Sequence, residues 1–118
     1  MPTKEYHLER IAEEIASAHK ALGEGNPGKA RVCARRAVGQ AITWFLSGHP
    51  RVGWGIDSMH QLNNLKIDPY FPENVRDAAV RLTTKISDQF KYPFSTDPIR
   101  DSTIIIDYIK HVMESDVS

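Results

Sequence analysis

Residues 30–46 read Ala-Arg-Val-Cys-Ala-Arg-Arg-Ala-Val-Gly-Gln-Ala-Ile-Thr-Trp-Phe-Leu. Apolar side chains recur in this stretch at Ala30, Cys33, Ala34, Ala37, Val38, Ala41, Ile42 and Phe45, the three-and-four spacing that collects them on one face of a helix. Most of that face is alanine, so a neighbouring helix can approach closely, and the stretch is expected to be the central helix of the fold. Its start is set by Asn26, a good N-cap, and Pro27, whose missing amide hydrogen costs nothing at the first helical position. It is expected to run to about residue 46, because Gly48, Pro50 and Gly53 force a loop over residues 47–55.

Working outward, the same punctuation recurs. Thr3 can cap a first helix over residues 3–22 whose apolar face is Leu8, Ile11, Ala12, Ile15, Ala18 and Leu22, and Gly23 and Gly25 stop it. Asp57 caps a short third helix through Met59, Leu62 and Leu65 that ends at Asp68-Pro69. Pro72 and Glu73 open a fourth, with Val75, Ala78, Ala79, Leu82, Ile86 and Phe90 inward and Asp77, Arg81, Lys85 and Asp88 on a salt-bridging flank, closed by Tyr92-Pro93. Asp97 and Pro98 begin a fifth that continues to about Met113 through Ile99, Ser102, Ile105, Ile106, Ile109 and Val112. The β-branched run from Thr103 to Ile106 favours a strand locally, but no second strand is available to pair with it. The expected fold is therefore all-α: an up-and-down antiparallel bundle of four long helices and one short one, in a single domain of residues 1–118.

Composition agrees and excludes several functions. The 41% apolar and 25% charged content is that of an ordinary globular domain, and 118 residues suffice for one core. Lysine plus arginine number 15 against 15 aspartates and glutamates, so no whole-molecule field draws the chain onto nucleic acid or an anionic membrane. The single cysteine, Cys33, cannot form an intrachain disulfide or a thiolate zinc cluster, and it suits a reducing cytoplasm. The charged N-terminus lacks the apolar run of a secretory signal. No motif for a metal or cofactor is found: no histidine pair has helical zinc spacing, and the glycines at 23, 25 and 28 lack the lysine-serine ending of a P-loop.

A few residues invite a functional reading. Ile104, Tyr108 and His111 fall outside the main stripe of the fifth helix at i, i+4 and i+7, and Val32, Gly39 and Thr43 form a second face on the central helix. Gly39 is the sharpest of these, since glycine inside a helix costs about 1 kcal/mol and wants a close-packing reason. These two faces are the expected surface of a homodimer. Lys20, Lys29, Arg31, Arg35 and Arg36 could hold a phosphate or form ion pairs with glutamates of the first helix. His19 is expected in the core, Cys33 as an inert buried thiol, and Trp54 as a plug at the end of the bundle, with stacking on a nucleobase as its alternative.

The order of these features resembles a known family. The alanine-rich helix at 30–46, the His60-Gln61-Leu62-Asn63-Asn64-Leu65 stretch after a glycine- and proline-bearing loop, and Lys91-Tyr92-Pro93 followed by Asp97-Pro98-Ile99 resemble the HEPN family of nucleotide-binding domains, from about residue 30 to residue 112. In that family Lys91-Tyr92-Pro93 looks like an Arg-Tyr-Pro signature. The resemblance implies a helical bundle, commonly a homodimer, acting as partner of a small nucleotidyltransferase or as a ribonuclease of toxin–antitoxin and antiphage systems. Catalytic members carry an arginine a few residues ahead of a histidine; in this chain the gaps from Arg10 to His19 and from Arg51 to His60 are longer. The expectation is a non-catalytic module without cofactor, docking a nucleotidyltransferase or holding a nucleotide or RNA beside Arg35, Arg36, Lys91 and Tyr92. The alternative is a metal-independent endoribonuclease using His60 as base with Arg51.

Overall fold

Helix starts fall where the capping residues place them. In the computed structural model, which describes residues 2–85 and 95–115, the helices are α1 (Lys4–Gly23), α2 (Pro27–Gly48), α3 (Ser58–Leu65), α4 (Glu73–Thr83) and α5 (Pro98–Ser115). Thr3 Oγ1 accepts the Tyr6 amide at 3.1 Å and Asn26 Oδ1 the Lys29 amide at 3.1 Å. Asp57 Oδ2 and Asp97 Oδ1 do the same for the His60 and Arg100 amides, each at 3.0 Å. Each cap satisfies an amide that would otherwise be orphaned at a helix start. The β-branched residues 103–106 are helical, inside α5, and no strand occurs among the described residues. None of these helices is long and apolar enough to cross a membrane.

α2 is the central helix, in contact with α1, α3 and α5. Its alanines at 30, 34, 37 and 41, with Val38, Ile42 and Phe45, are wholly shielded from solvent, and Cys33 is buried with Ala18 and Ile99. His7 facing Trp44 and Ala18 facing Cys33 make α1 antiparallel to α2. Arg81 meeting Asp101 and Phe71 meeting Tyr108 make α4 antiparallel to α5. The pair α2 and α5 runs parallel: Ser102 Oγ donates to the Ala34 carbonyl at 3.0 Å near one end, and Met113 lies against Gly48 at the other. The chain thus goes up and down through α1, α2, α4 and α5, but closes on the α2–α5 diagonal, where alanine and serine permit close approach. α1 touches α5 only sparsely, and between them runs a groove of 330 Å³ floored by Leu8, Ile11, Ile15 and Ile106.

At one end of the bundle the aromatic side chains gather. Phe45 stacks on His49 with centroids 4.6 Å apart and tilts against Phe71 at 5.2 Å. Trp54 packs on Phe71 at 6.3 Å and is only 6% exposed, the plug expected of it. Gly53 and Gly55 flank it with φ of 82° and 65°, a backbone region open to glycine at little cost, and so turn the loop sharply enough to drive the indole inward.

Two features depart from the sequence reading. α4 ends at Thr83, not near residue 90, because Thr84 has turned to extended backbone (φ −75°, ψ 129°). The Thr83 hydroxyl donates to the Ala79 and Val80 carbonyls at 2.9 and 3.1 Å, and that of Thr84 to Val80 at 2.7 Å. Two consecutive β-branched residues whose hydroxyls occupy the last carbonyls make a natural stop. The expected inward Ile86 and Phe90, and Asp88 of the flank, lie outside the described residues, while Lys85 is exposed beyond the helix end. α1, in turn, is rotated. Its buried residues are His7, Ile11, Ala18 and Ala21, whereas Ala12 and Leu22 face solvent. At about 100° per residue, the buried face lies roughly 60–70° round the helix from the expected one. His19 is therefore exposed, and the core histidine is His7, stacked on Trp44 at 6.2 Å. Leu8 and Ile15, which seemed central, sit half-buried at the edge of the α1–α5 groove.

Gly39 has the packing reason its position demanded, but within the chain. A Cβ there would stand 2.7 Å from Ser58 Cβ and 3.4 Å from Gln61 Oε1, both on α3. Alanine would gain about 1 kcal/mol of helix propensity yet must push α3 away, so Gly39→Ala is expected to destabilise by about 1–2 kcal/mol net. Combining it with Ser58→Gly should recover part of that loss in urea titrations. If Gly39→Ala raises the midpoint instead, the tight α2–α3 contact is wrong.

Candidate binding cleft between the first three helices

A polar cleft of 190 Å³ opens where α1, α2 and α3 converge. α1 supplies Arg10 and Glu14, one turn apart on the flank of its buried face. α2 supplies Arg36, Gln40 and Thr43, which follow one another along a second flank, with Gly39 between them. Ser58 and Ile56 close the far side. Ile56 is 92% exposed and forms part of the rim. Because Gly39 has no side chain, α3 sits close enough for the cleft to be walled on three sides.

The cleft is electrostatically divided. Arg10 reaches toward solvent and pairs loosely with Glu13 at 3.6 Å, and Arg36 is exposed. Deeper in, Glu14 Oε2 and Gln40 Oε1 are shielded from solvent and have no hydrogen-bond partner among the described residues. Gln61 Oε1, behind Gly39, is in the same condition. A buried acceptor left unpaired costs about 1–3 kcal/mol, so these oxygens are a local cost of packing α1 and α3 against α2.

The expected nucleotide site does not assemble as a unit. Arg35 turns to the other side of α2, where its Nε donates to the Leu82 carbonyl at 2.8 Å at the end of α4. Burial lowers its pKa, and neighbouring Arg31 adds to the effect. Arg36 points into the cleft instead, about 100° away round the helix. Lys91 and Tyr92 lie outside the described residues. The ion pairs expected between the basic residues of α2 and glutamates of α1 are replaced, for Arg31 and Arg35, by bonds to carbonyls: Arg31 Nη2 donates to Ser95 O at 2.6 Å. Burial also lowers the Arg31 pKa, against a raising influence from Asp101.

These arginines border a buried polar knot. Asp101, 6% exposed, accepts Arg81 Nε at 3.0 Å and Nη2 at 2.8 Å on one oxygen and the Ser95 hydroxyl at 2.6 Å on the other. The hydrogen bond to Asp101 raises the Arg81 pKa, with lesser electrostatic help from Asp101 and Asp77. Arg81 therefore serves α5 across the bundle, not the flank of its own helix. The knot joins the end of α4 to the start of α5 and is structural.

The residues expected at a dimer interface separate into different neighbourhoods. Gly39 packs on Ser58, and Thr43 Oγ1 accepts the Gln61 side-chain amide at 3.2 Å, both within the chain. Ile104 and Tyr108 are half-buried against the core, Tyr108 on Phe71 at 5.8 Å, and burial raises the Tyr108 pKa. Val32, 42% exposed, and His111 remain outward. The close helix approach at Gly39 thus belongs to α3, and of the α5 stripe only Tyr108 meets the chain's own aromatic end.

Arg51 and His60 are each engaged separately. Arg51 bonds Asp68 at 3.2 Å and lies over the rings of Phe45 and Tyr70 at 5.6 and 5.5 Å. His60 Nε2 sits 2.8 Å from the Gly53 carbonyl, a contact that fixes its tautomer as a donor there. This pins the loop and leaves Nδ1 as the nitrogen with a free lone pair. Among the described residues no group of three or more histidine, cysteine, aspartate or glutamate side chains could hold a metal.

The sequence reading found Arg36 but not Glu14 or Gln40. Their signal was present in the spacing: Arg10 and Glu14 are i, i+4 on α1, and Arg36, Gln40 and Thr43 are i, i+4 and i+7 on α2. Only the pairing of these flanks turns two ordinary polar edges into one cleft. Compared with known protein families, with curated proteins and with solved structures, the chain matches none.

Proposed function

We propose that this chain is a non-catalytic binding module, HEPN-like in its helical order, that holds a nucleotide in the α1–α2–α3 cleft. The observation that supports it is the gathering, in one cleft, of two exposed guanidinium groups, Arg10 and Arg36, with the polar residues Glu14, Gln40 and Thr43. Guanidinium forks suit a phosphate, and amide and hydroxyl side chains such as Gln40 and Thr43 can hydrogen-bond a base. Of the two roles implied for a non-catalytic HEPN member, docking a nucleotidyltransferase and holding a nucleotide, the cleft favours the second. In the alternative, endoribonuclease reading, Arg51 would have to leave Asp68 to meet a phosphate, and His60 would act through Nδ1 because its Nε2 is on the Gly53 carbonyl.

Calorimetry of the full chain with nucleoside monophosphates tests the reading. Arg36→Glu is expected to weaken binding roughly tenfold or more, since it replaces a charge-assisted bond by a repulsion. Arg35→Ala is expected to leave binding unchanged while lowering stability. The opposite pattern would move the site to the far side of α2. Self-association is a separate part of the proposal, supported by the exposure of Val32. Light scattering is expected to give the mass of a dimer, and a monomer at micromolar concentration would remove pairing and leave the cleft untouched.

A further inference from the structure

α1 is apolar over a wider arc than α2 covers. Leu8, Ala12, Ile15, His19 and Leu22 follow one another at alternating steps of four and three, the spacing of a coiled-coil seam. Ala12 and His19 are exposed, Leu22 is 44% exposed, and Leu8 and Ile15 are half-buried. Beside this seam runs the α1–α5 groove of 330 Å³, where Leu8, Ala12 and Ile15 stand across from Ile106, with Asp107 and Lys110 at the α5 rim. An apolar trough between two helices, continued by a heptad-spaced stripe, is a seat for a third helix.

The charges along the seam say which helix. Glu5 and Glu9 are exposed beside its N-terminal half, and His19 and Lys20 are exposed at its C-terminal half. A two-fold axis turns the helix end for end, so the acidic end of one copy lies along the basic end of another, and both matches are made at once. The same turn sets Ala12 opposite Ile15 twice over, small against large, as interdigitating helices require. A foreign helix of one charge sign would gain at one end and lose at the other. The position also spares the cleft: Arg10 and Glu14 leave α1 roughly 120–160° round the helix from the middle of the seam. Val32, by contrast, is one turn from Arg36 on the cleft side of α2, and a copy seated there would overhang the cleft.

Resting on the self-association proposed above, we propose that the chain pairs through the α1–α5 groove, with α1 of a second copy seated in it antiparallel to α1 of the first. The helix that α5 supports only sparsely within its own chain gains a neighbour across the axis, and the leftover stripe of each copy is hidden by the other.

The test is sedimentation equilibrium of the full chain and its variants, each checked for helicity by circular dichroism. Ala12→Arg, at an exposed position, is expected to weaken pairing at least about tenfold, because it brings two like charges together near the axis. Val32→Glu is expected to leave pairing unchanged. Glu5→Lys with Glu9→Lys is expected to weaken it too, and adding His19→Glu with Lys20→Glu to restore it, a rescue that damage to the fold would not give. Amide exchange in α1 is expected to slow as protein concentration rises through the pairing constant. A dimer that survives Ala12→Arg, one lost with Val32→Glu, or α1 exchange indifferent to concentration overturns this face and leaves self-association standing. Reversal at both ends that fails to restore pairing overturns the antiparallel seating. A wild-type chain that stays monomeric at micromolar concentration overturns both the face and the pairing.

Discussion

Phe45→Ala is expected to destabilise the protein by about 4 kcal/mol, the middle of the range for truncating a buried phenylalanine. Phe45 is wholly buried, and its ring is in contact with those of His49, Tyr70 and Phe71. Arg51 closes over it from the loop, held by Asp68. Truncation leaves a void that its neighbours cannot readily fill, because Phe71 is already fixed between Trp54 and Tyr108. Against a total stability of about 5–15 kcal/mol for a domain, the loss is a large share. Urea denaturation should show it as a lower midpoint with an unchanged slope. A change under about 1 kcal/mol would mean that the aromatic end is not packed as described. Phe45→Leu, which keeps much of the volume, is expected to cost clearly less.

The second large effect belongs to the knot at the opposite end. Asp101→Ala is expected to cost about 3 kcal/mol, since breaking a buried pair from one side leaves the other partner uncompensated. The carboxylate side chain is 8% exposed, whereas that of Arg81 is 32% exposed and can turn partly to water, so the loss stays near the lower end of that range. Removing both partners, with Arg81→Met and Asp101→Ala together, should cost less than the sum of the single changes. Strict additivity by chemical denaturation would show that Arg81 and Asp101 do not act as a pair.

Much of the fold could be read from local chemistry. Thr3, Asn26, Asp57 and Asp97 each begin a helix as their side chains dictate, and the alanine stripe of residues 30–45 is the buried seam of α2. What periodicity could not supply was phase and partner. On α1 the apolar residues span a broad arc, and the side that faces α2 sets His7 against Trp44 and leaves His19 outside. The stop at Thr83 depends on threonine hydroxyls reaching back to carbonyls, a competition invisible to an apolar pattern. The candidate site shows the same limit: Arg36 stood out by its charge, but Glu14 and Gln40 acquire meaning only once α1 lies against α2. Arg35, one residue from Arg36, has the opposite role because a single step round the helix points it at α4.

The sparse meeting of α1 with α5 leaves the first helix hanging from α2 along one seam. Its amides should exchange with deuterium through an opening that leaves the α2–α5 diagonal intact, well before global unfolding. Since Arg10 and Glu14 travel with it, a bound guest would act as a staple across that seam and slow exchange over the whole helix, far beyond the atoms it touches.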